Sequence, residues 1–266
     1  MILSNFHTHT SFCDGKDTPE ELVLYAIEKG CSEIGFSGHS YVDFDERACM
    51  SPSDFEEYKS EILALREKYG DKINILLGIE QDSYTEERAE GVDYVIGSVH
   101  YVFKDGEYLF VDLSREQQIE DVEKHYGGDF YAYVEDYYDE VGKLYDKTGC
   151  DIIGHFDLIT KFNENGDLFD VNHPRYIKAA EKALEKLLLT PVIFEVNTGA
   201  ISRGYRKTAY PNDSLRSKIA ESGRPFLLSS DCHARENLLF GLDTEKEKLE
   251  RAGYSTCLSS KDFMNK

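Results

Sequence analysis

Short apolar stretches alternate with amphipathic helical ones along most of this chain, and that rhythm restricts the fold more than any other feature. Residues 32–39, 73–80, 93–100, 151–155, 192–197 and 225–229 each read as a buried strand. The apolar opening at 1–4 reads as another, and 254–258 is a last short apolar piece. Between them, residues 18–29, 53–69, 114–124, 127–148, 174–189 and 212–222 carry helical patterns, as does the segment from 235 onward. Thr18-Pro19-Glu20-Glu21 is a helix start, with proline just inside the first turn. Strands without polar alternation, separated by helices, predict a parallel sheet covered by helices. A closed or nearly closed α/β barrel is favoured, with an open doubly wound sheet as the runner-up. Residues 101–111 depart from the rhythm. Asp105-Gly106 between apolar flanks predicts a hairpin there. No long polar linker interrupts residues 1–266, so one domain is expected.

The strand ends share a chemistry. The first ends in His7 and His9, the next in His39, then Glu80, His100 and His155, and the last in Asp231-Cys232-His233. Six of the eight histidines therefore fall at strand ends. In parallel α/β barrels those ends form one face, and that face carries the chemistry. His7 and His9 are two apart, so in a strand both can aim at one point while Thr8 cannot. Asp231 and His233 repeat that spacing, with Cys232 turned into the packing. A single histidine of this kind is more often a hydrogen-bonded structural residue, but that explanation would have to hold separately at consecutive strands. Imidazole and carboxylate groups suit Zn, Fe or Mn. Their number exceeds one tetrahedral site, so two or three ions sharing Glu80 as a bridge are expected. Asp14, in the loop after His9, can fold back to join them, although Asp14-Gly15 is also a plain turn signal. His125 and His173 are read as surface or capping residues.

Net charge is −21, which argues against a nucleic-acid backbone or an anionic membrane surface as partner. No basic region followed by an apolar one opens the sequence, so a signal peptide is not expected. The six cysteines form no CxxC pair, and reduced thiols in the cytoplasm are the expectation.

With these residues in view, the chain resembles the polymerase and histidinol phosphatase (PHP) family over nearly its whole length. The resemblance rests on His7-Thr8-His9-Thr10, Gly38-His39, Gly78-Ile79-Glu80, Gly97-Ser98-Val99-His100, Gly154-His155-Phe156-Asp157 and Asp231-Cys232-His233. It implies a distorted (β/α)7 barrel with a trinuclear site at the C-terminal strand ends. It further implies that His7, His9, Glu80 and Asp231 hold one ion. Glu80, His100 and His155 would hold a second, and His39 and His233 a third. Many members complete that third site with a histidine soon after the first motif; here Asp14 is the candidate. The stretches 154–162 and 194–199 are similar to the stand-alone histidinol-phosphatase branch. That branch implies a metal-dependent phosphomonoesterase acting on L-histidinol phosphate, a small-molecule substrate, with water activated between two ions as nucleophile. Glu80, Asp231 and His233 are the expected catalytic residues, the last two as candidate proton relays. The oligomeric state is left open.

Basic groups near predicted strand ends are candidates for the phosphate: Arg203 first, then Arg235, Arg47 and Lys161, with Arg206 nearby. Asp43, Asp45, Glu46, Tyr101, Phe103 and Phe156 are candidate walls for the histidinol end. Rival readings are a PHP phosphodiesterase or exonuclease, a phosphotyrosine phosphatase, and a non-catalytic metal-binding scaffold.

Overall fold

A computed structural model of the chain describes residues 4–45, 47–85 and 88–264. Residues 1–3, in the apolar opening, and the candidate wall residue Glu46 lie outside the described residues.

In chain order the strands are β1 (Ser4–Asn5), β2 (Glu33–Phe36), β3 (Asn74–Asp82), β4 (Tyr94–Ser98), β5 (Tyr101–Lys104), β6 (Glu107–Phe110), β7 (Ile152–Ile153), β8 (Ile193–Asn197), β9 (Phe226–Ser229) and β10 (Thr256–Cys257). The helices are α1 (Pro19–Glu28), α2 (Pro52–Tyr69), α3 (Arg115–Tyr126), α4 (Phe130–Val141), α5 (Leu144–Thr148), α6 (Pro174–Leu188), α7 (Gly199–Ser202), α8 (Asp213–Glu221), α9 (Leu242–Arg251) and α10 (Lys261–Met264). Helix starts follow the sequence signals. Thr18 with Glu21, and Ser51 with Asp54, form reciprocal caps ahead of Pro19 and Pro52, satisfying backbone donors that the first turn leaves unpaired.

Among the described residues, eight strands form one parallel sheet in the order β1-β2-β3-β4-β7-β8-β9-β10. β5 and β6 form the separate antiparallel hairpin expected at 101–111. The sheet closes on itself at its C-terminal end. Thr8 bridges Cys232, with His9 N–H donating to the Cys232 carbonyl at 2.8 Å and Cys232 N–H to the His7 carbonyl at 3.0 Å. At the other end β10 extends the sheet beside β9, and the Ser4 hydroxyl donates to the Leu258 carbonyl at 2.8 Å. The result is the expected (β/α) barrel, with β10 as an added strand.

The pleat of β3 sorts its side chains. Ile75, Leu77 and Ile79 face the helices, while Leu76 lies in a separate inner cluster with Phe6, Tyr94, Ile96, Ile152, Ile193, Leu227, Cys257 and Phe263. Above Leu76 on the same face come Gly78 and Glu80. A Cβ at Gly78 would sit 2.3 Å from the Tyr94 ring, so the glycine makes room for that ring inside the barrel. Tyr94 Oη then lies 2.5 Å from the Phe6 carbonyl and 3.1 Å from that of Phe36, tying β1 to β2 just below the strand ends. No helix among the described residues is long and apolar enough to cross a membrane.

Candidate metal centre

Glu80 is the centre of the C-terminal end. It is 1% exposed and follows the Gly78 gap on β3, which pairs with β2 through its first half and with β4 through its second. Its Oε2 lies 3.1 Å from His7 Nε2, 3.4 Å from His9 Nε2 and 3.1 Å from His39 Nδ1. Its Oε1 lies 2.9 Å from His155 Nε2 and 3.4 Å from His100 Nε2, and accepts the Ser98 hydroxyl at 2.6 Å. His7 and His9 both turn inward, as their spacing predicts, while Thr8 faces Asn5 on the other side. Asp231 Oδ1 is 3.2 Å from His9 Nε2 and 3.5 Å from His233 Nδ1. Asp14 folds back into the cluster, with Oδ1 3.6 Å from His9 Nδ1 and 3.6 Å from His39 Nε2, and Oδ2 3.2 Å from His233 Nε2.

All nine expected ligand residues therefore meet. Three groups bring potential ligand atoms within 4.8 Å of one another: His7, His9 and Glu80; His39, Glu80 and His100; and His9, Asp14, His39 and His233. His9 and His39 each belong to two groups, a sharing that the family pattern did not anticipate. His155 lies beside these groups against Glu80 and His100, and Asp231 against His7, His9 and His233.

The buried polar atoms test whether ions fit. His7 Nε2, His9 Nε2 and Glu80 Oε2 point into the cluster without a hydrogen-bond partner. Bare donor atoms of this kind are costly to bury, and a cation coordinated by them removes the cost. The donor set is imidazole and carboxylate, which suits divalent transition metals. The residues present fit such ions.

The charges in the protein alone are strongly coupled. Burial alone would raise Glu80, but His7, His39 and His100 hold it well below the carboxylate range. Burial is likewise overcome at Asp231, by Arg203, His7 and His9, and at Asp14, by His39 and His233. Burial pulls His9 down to about 3, and the neighbouring His233 and His39 add to that. For His7 burial is outweighed by Glu195, Glu80 and Asp231, and for His100 by Glu80 and Asp82, so both are held well above the usual imidazole value.

Two carboxylates that complete this picture were not singled out from the sequence. Asp82, two residues beyond Glu80 on the same face of β3, accepts His100 N–H at 3.0 Å and lies 3.2 Å from its Nδ1. Glu195 on β8 lies 2.9 Å from His7 Nδ1 and accepts His155 N–H at 2.6 Å. Both sit at strand ends, so the signal that picked out Glu80 was present at each.

The basic candidates divide. Arg203, after α7, donates to Asp231 Oδ2 at 2.9 Å and lies 3.0 Å from His233 Nδ1, so it belongs to the cluster. Lys161 and Arg47 line a pocket of about 310 Å³ that opens over His39, Glu80 and His100. Lys161 is held there by Asp112 at 3.0 Å, and Arg47 by Asp45 at 2.8 Å with its guanidinium over the Phe110 ring. Arg206 lies over the Tyr210 ring and donates to Thr160 and Thr208. Arg235 corrects the expectation. The turn after His233 delivers it to Asp17 and Glu21 beside α1, 3.4 and 3.5 Å away, not to the cluster. Of the proposed walls, Asp45 and Tyr101 line the pocket. Asp43 lines a separate cleft, Phe103 is half exposed, and Phe156 is buried among Tyr138 and Phe194. Cys232 is buried packing, as expected, and His173 caps α6.

A PHP domain profile matches residues 5–199. A probable histidinol-phosphatase of Schizosaccharomyces pombe is 30% identical over 281 residues, spanning 96% of this chain and 89% of that protein. A second protein of that name, from Deinococcus radiodurans, is 33% identical over 249 residues, spanning 87% and 86%. The crystal structure of a histidinol phosphate phosphatase from Lactococcus lactis, complexed with zinc, L-histidinol and phosphate, shares the fold. Its TM-score is 0.71 at 18% identity, covering 95% of this chain and 94% of that one.

Proposed function

The chain belongs to the PHP domain family, and on that premise we propose that it hydrolyses L-histidinol phosphate to L-histidinol and phosphate. The observation that carries this reading is the convergence of six imidazoles with the carboxylates of Asp14, Glu80 and Asp231, in a chain that aligns over most of its length with probable histidinol-phosphatases.

In this reading three divalent ions, Zn, Mn or Fe, are held. His7, His9, Glu80 and Asp231 take one, Glu80, His100 and His155 a second, and Asp14, His39 and His233 a third. Such ions, when bound, supply Lewis-acid stabilisation of phosphoryl oxygens and lower the pKa of water. The protein's own groups do the rest. Arg203 is oriented by Asp231 and His233, and turns its remaining N–H groups to the phosphoryl oxygens. Lys161 and Arg47 add positive charge on the walls of the pocket, fixed by Asp112 and Asp45. Asp231 or His233 would relay to the leaving alkoxide the proton given up by the attacking water. A cytoplasmic location with reduced thiols is part of the same reading.

A substrate panel tests the proposal: histidinol phosphate, phosphotyrosine and a nucleotide diester, with Mn or Zn loaded in defined amounts. The highest kcat/KM is expected for histidinol phosphate. A preference for the diester or for phosphotyrosine refutes the substrate assignment, and no turnover of any of the three leaves only a binding scaffold.

A further inference from the structure

Glu195 is fully buried and accepts from four donors, which is all its carboxylate can take. Oε1 receives the His155 backbone N–H at 2.6 Å and Asn197 Nδ2 at 2.8 Å. Oε2 receives the Ser229 hydroxyl at 2.6 Å and His7 Nδ1 at 2.9 Å. Strand β8 thus reaches three neighbouring segments, two of which carry residues of the metal centre.

We infer that Glu195 is a positioning residue that fixes a proton on His7 Nδ1, so that Nε2, facing Glu80 and Asp231, is the nitrogen a metal ion takes. The inference rests on the metallophosphatase reading above. A carboxylate only accepts, so the proton between Glu195 and His7 must sit on the imidazole. His7 is itself fully buried, and Nε2 has no other partner in the protein.

The four donors also state what an amide would do. The His155 N–H belongs to the backbone and cannot reverse. Asn197 cannot reverse either, because its Oδ1 already accepts the Gly199 N–H at 2.8 Å. In Glu195→Gln the amide oxygen must therefore take the Oε1 position, and the NH2 must take the Oε2 position. There it faces Ser229 and His7. The hydroxyl can rotate and accept. His7 can accept only by moving its proton to Nε2, which removes the lone pair needed for a metal. One isosteric change should disable His7 without removing it.

The test uses the full-length protein, stripped with a chelator and titrated with zinc against a chromophoric competitor. Wild type should bind zinc tightly. Glu195→Gln should retain a cooperative thermal transition while binding zinc about 10–100-fold more weakly, the usual range for loss of a carboxylate behind a ligating histidine. A role confined to stability would lower the unfolding midpoint and leave zinc affinity unchanged, and equal affinity and ion count in the folded variant overturn the inference alone. If wild type takes up no zinc, manganese or iron, the metallophosphatase reading fails and this inference with it. A measurement on wild type stands even if the variant does not fold. In 15N-histidine NMR of the zinc-loaded protein, His7 should carry its proton on Nδ1 and the metal on Nε2. The reverse assignment overturns the inference.

Discussion

At its N-terminal end the barrel is filled by Phe6, Tyr94 and Phe263, whose rings meet edge to face at 5.2–6.3 Å, whereas further along the same strands it holds six imidazoles clustered with Glu80, Asp14 and Asp231. The first end is closed by apolar burial, with α10 carrying Phe263 under the strands and Ser260 tied to Glu33. The second is closed by charge pairs and hydrogen bonds, and there His7 Nε2, His9 Nε2 and Glu80 Oε2 meet without hydrogen-bond partners. One sheet thus separates the part that stabilises the fold from the part that does chemistry. Tyr94 sits at the boundary, with its ring in the apolar plug and its hydroxyl at the carbonyl of Phe6, next to His7.

If that division holds, the two ends should answer differently to substitution. The largest effect is expected for Phe263→Ala. Losing a buried phenyl ring should cost about 3–5 kcal/mol in urea denaturation. The folded fraction should keep its zinc affinity, and a tenfold loss of affinity would break the comparison. Arg203→Ala should do the opposite, lowering kcat/KM on histidinol phosphate by about a hundredfold with a much smaller change in stability.

The pH dependence of the chelated protein sharpens the same contrast. Glu80 and Asp231 lie well below their ordinary range, so their contribution is full above about pH 4, the unfolded value, and is lost as pH falls through their folded values. His9, down to about 3, acts in the same direction, favouring folding above its unfolded value near 6.5 and losing that benefit as pH falls toward about 3. His7, His100 and His233 are raised, so their contribution is full below about pH 6.5 and is lost as pH rises through their folded values. Thermal melts across pH should therefore fall on both the acid and the alkaline side. Phe263→Ala should lower the whole curve without changing its shape, because the titrating groups are at the other end. The smallest effect is expected for Arg235→Ala, with kcat/KM within about twofold of wild type, since that side chain turns to Asp17 and Glu21.

Much of this was legible in the residues themselves. Alternating apolar and helical stretches gave the parallel barrel, and histidines at successive strand ends gave the cluster, because strand direction places all those ends on one face. Asp14 was readable only as a loop residue able to fold back. Its approach to His9, His39 and His233 depends on tertiary packing, including the Lys16 N–H bond to the His233 carbonyl at 2.8 Å. Asp82 escaped because it lies beyond the expected strand 73–80, and Glu195 because residues 192–197 carry no histidine to mark their end; a strand end can also present the carboxylate that orients another strand's ligand. Arg235 was misplaced because spacing fixes how far a loop residue lies from a ligand but not which way the turn throws it. At the C-terminal end, the strand pairing that closes the barrel is the Thr8–Cys232 bridge among the described residues, too short a pairing to leave a pattern in sequence.

The central claim is that Glu80 joins the ions on which turnover depends. It is tested most directly by counting bound zinc and manganese per chain in wild type and Glu80→Ala while measuring kcat on histidinol phosphate. The account predicts three ions in wild type, fewer in the variant, and a fall in kcat on the order of a thousandfold or more, at or beyond the upper range for removing one transition-state stabilising group. A Glu80→Ala protein that keeps its full ion count and its turnover would contradict it.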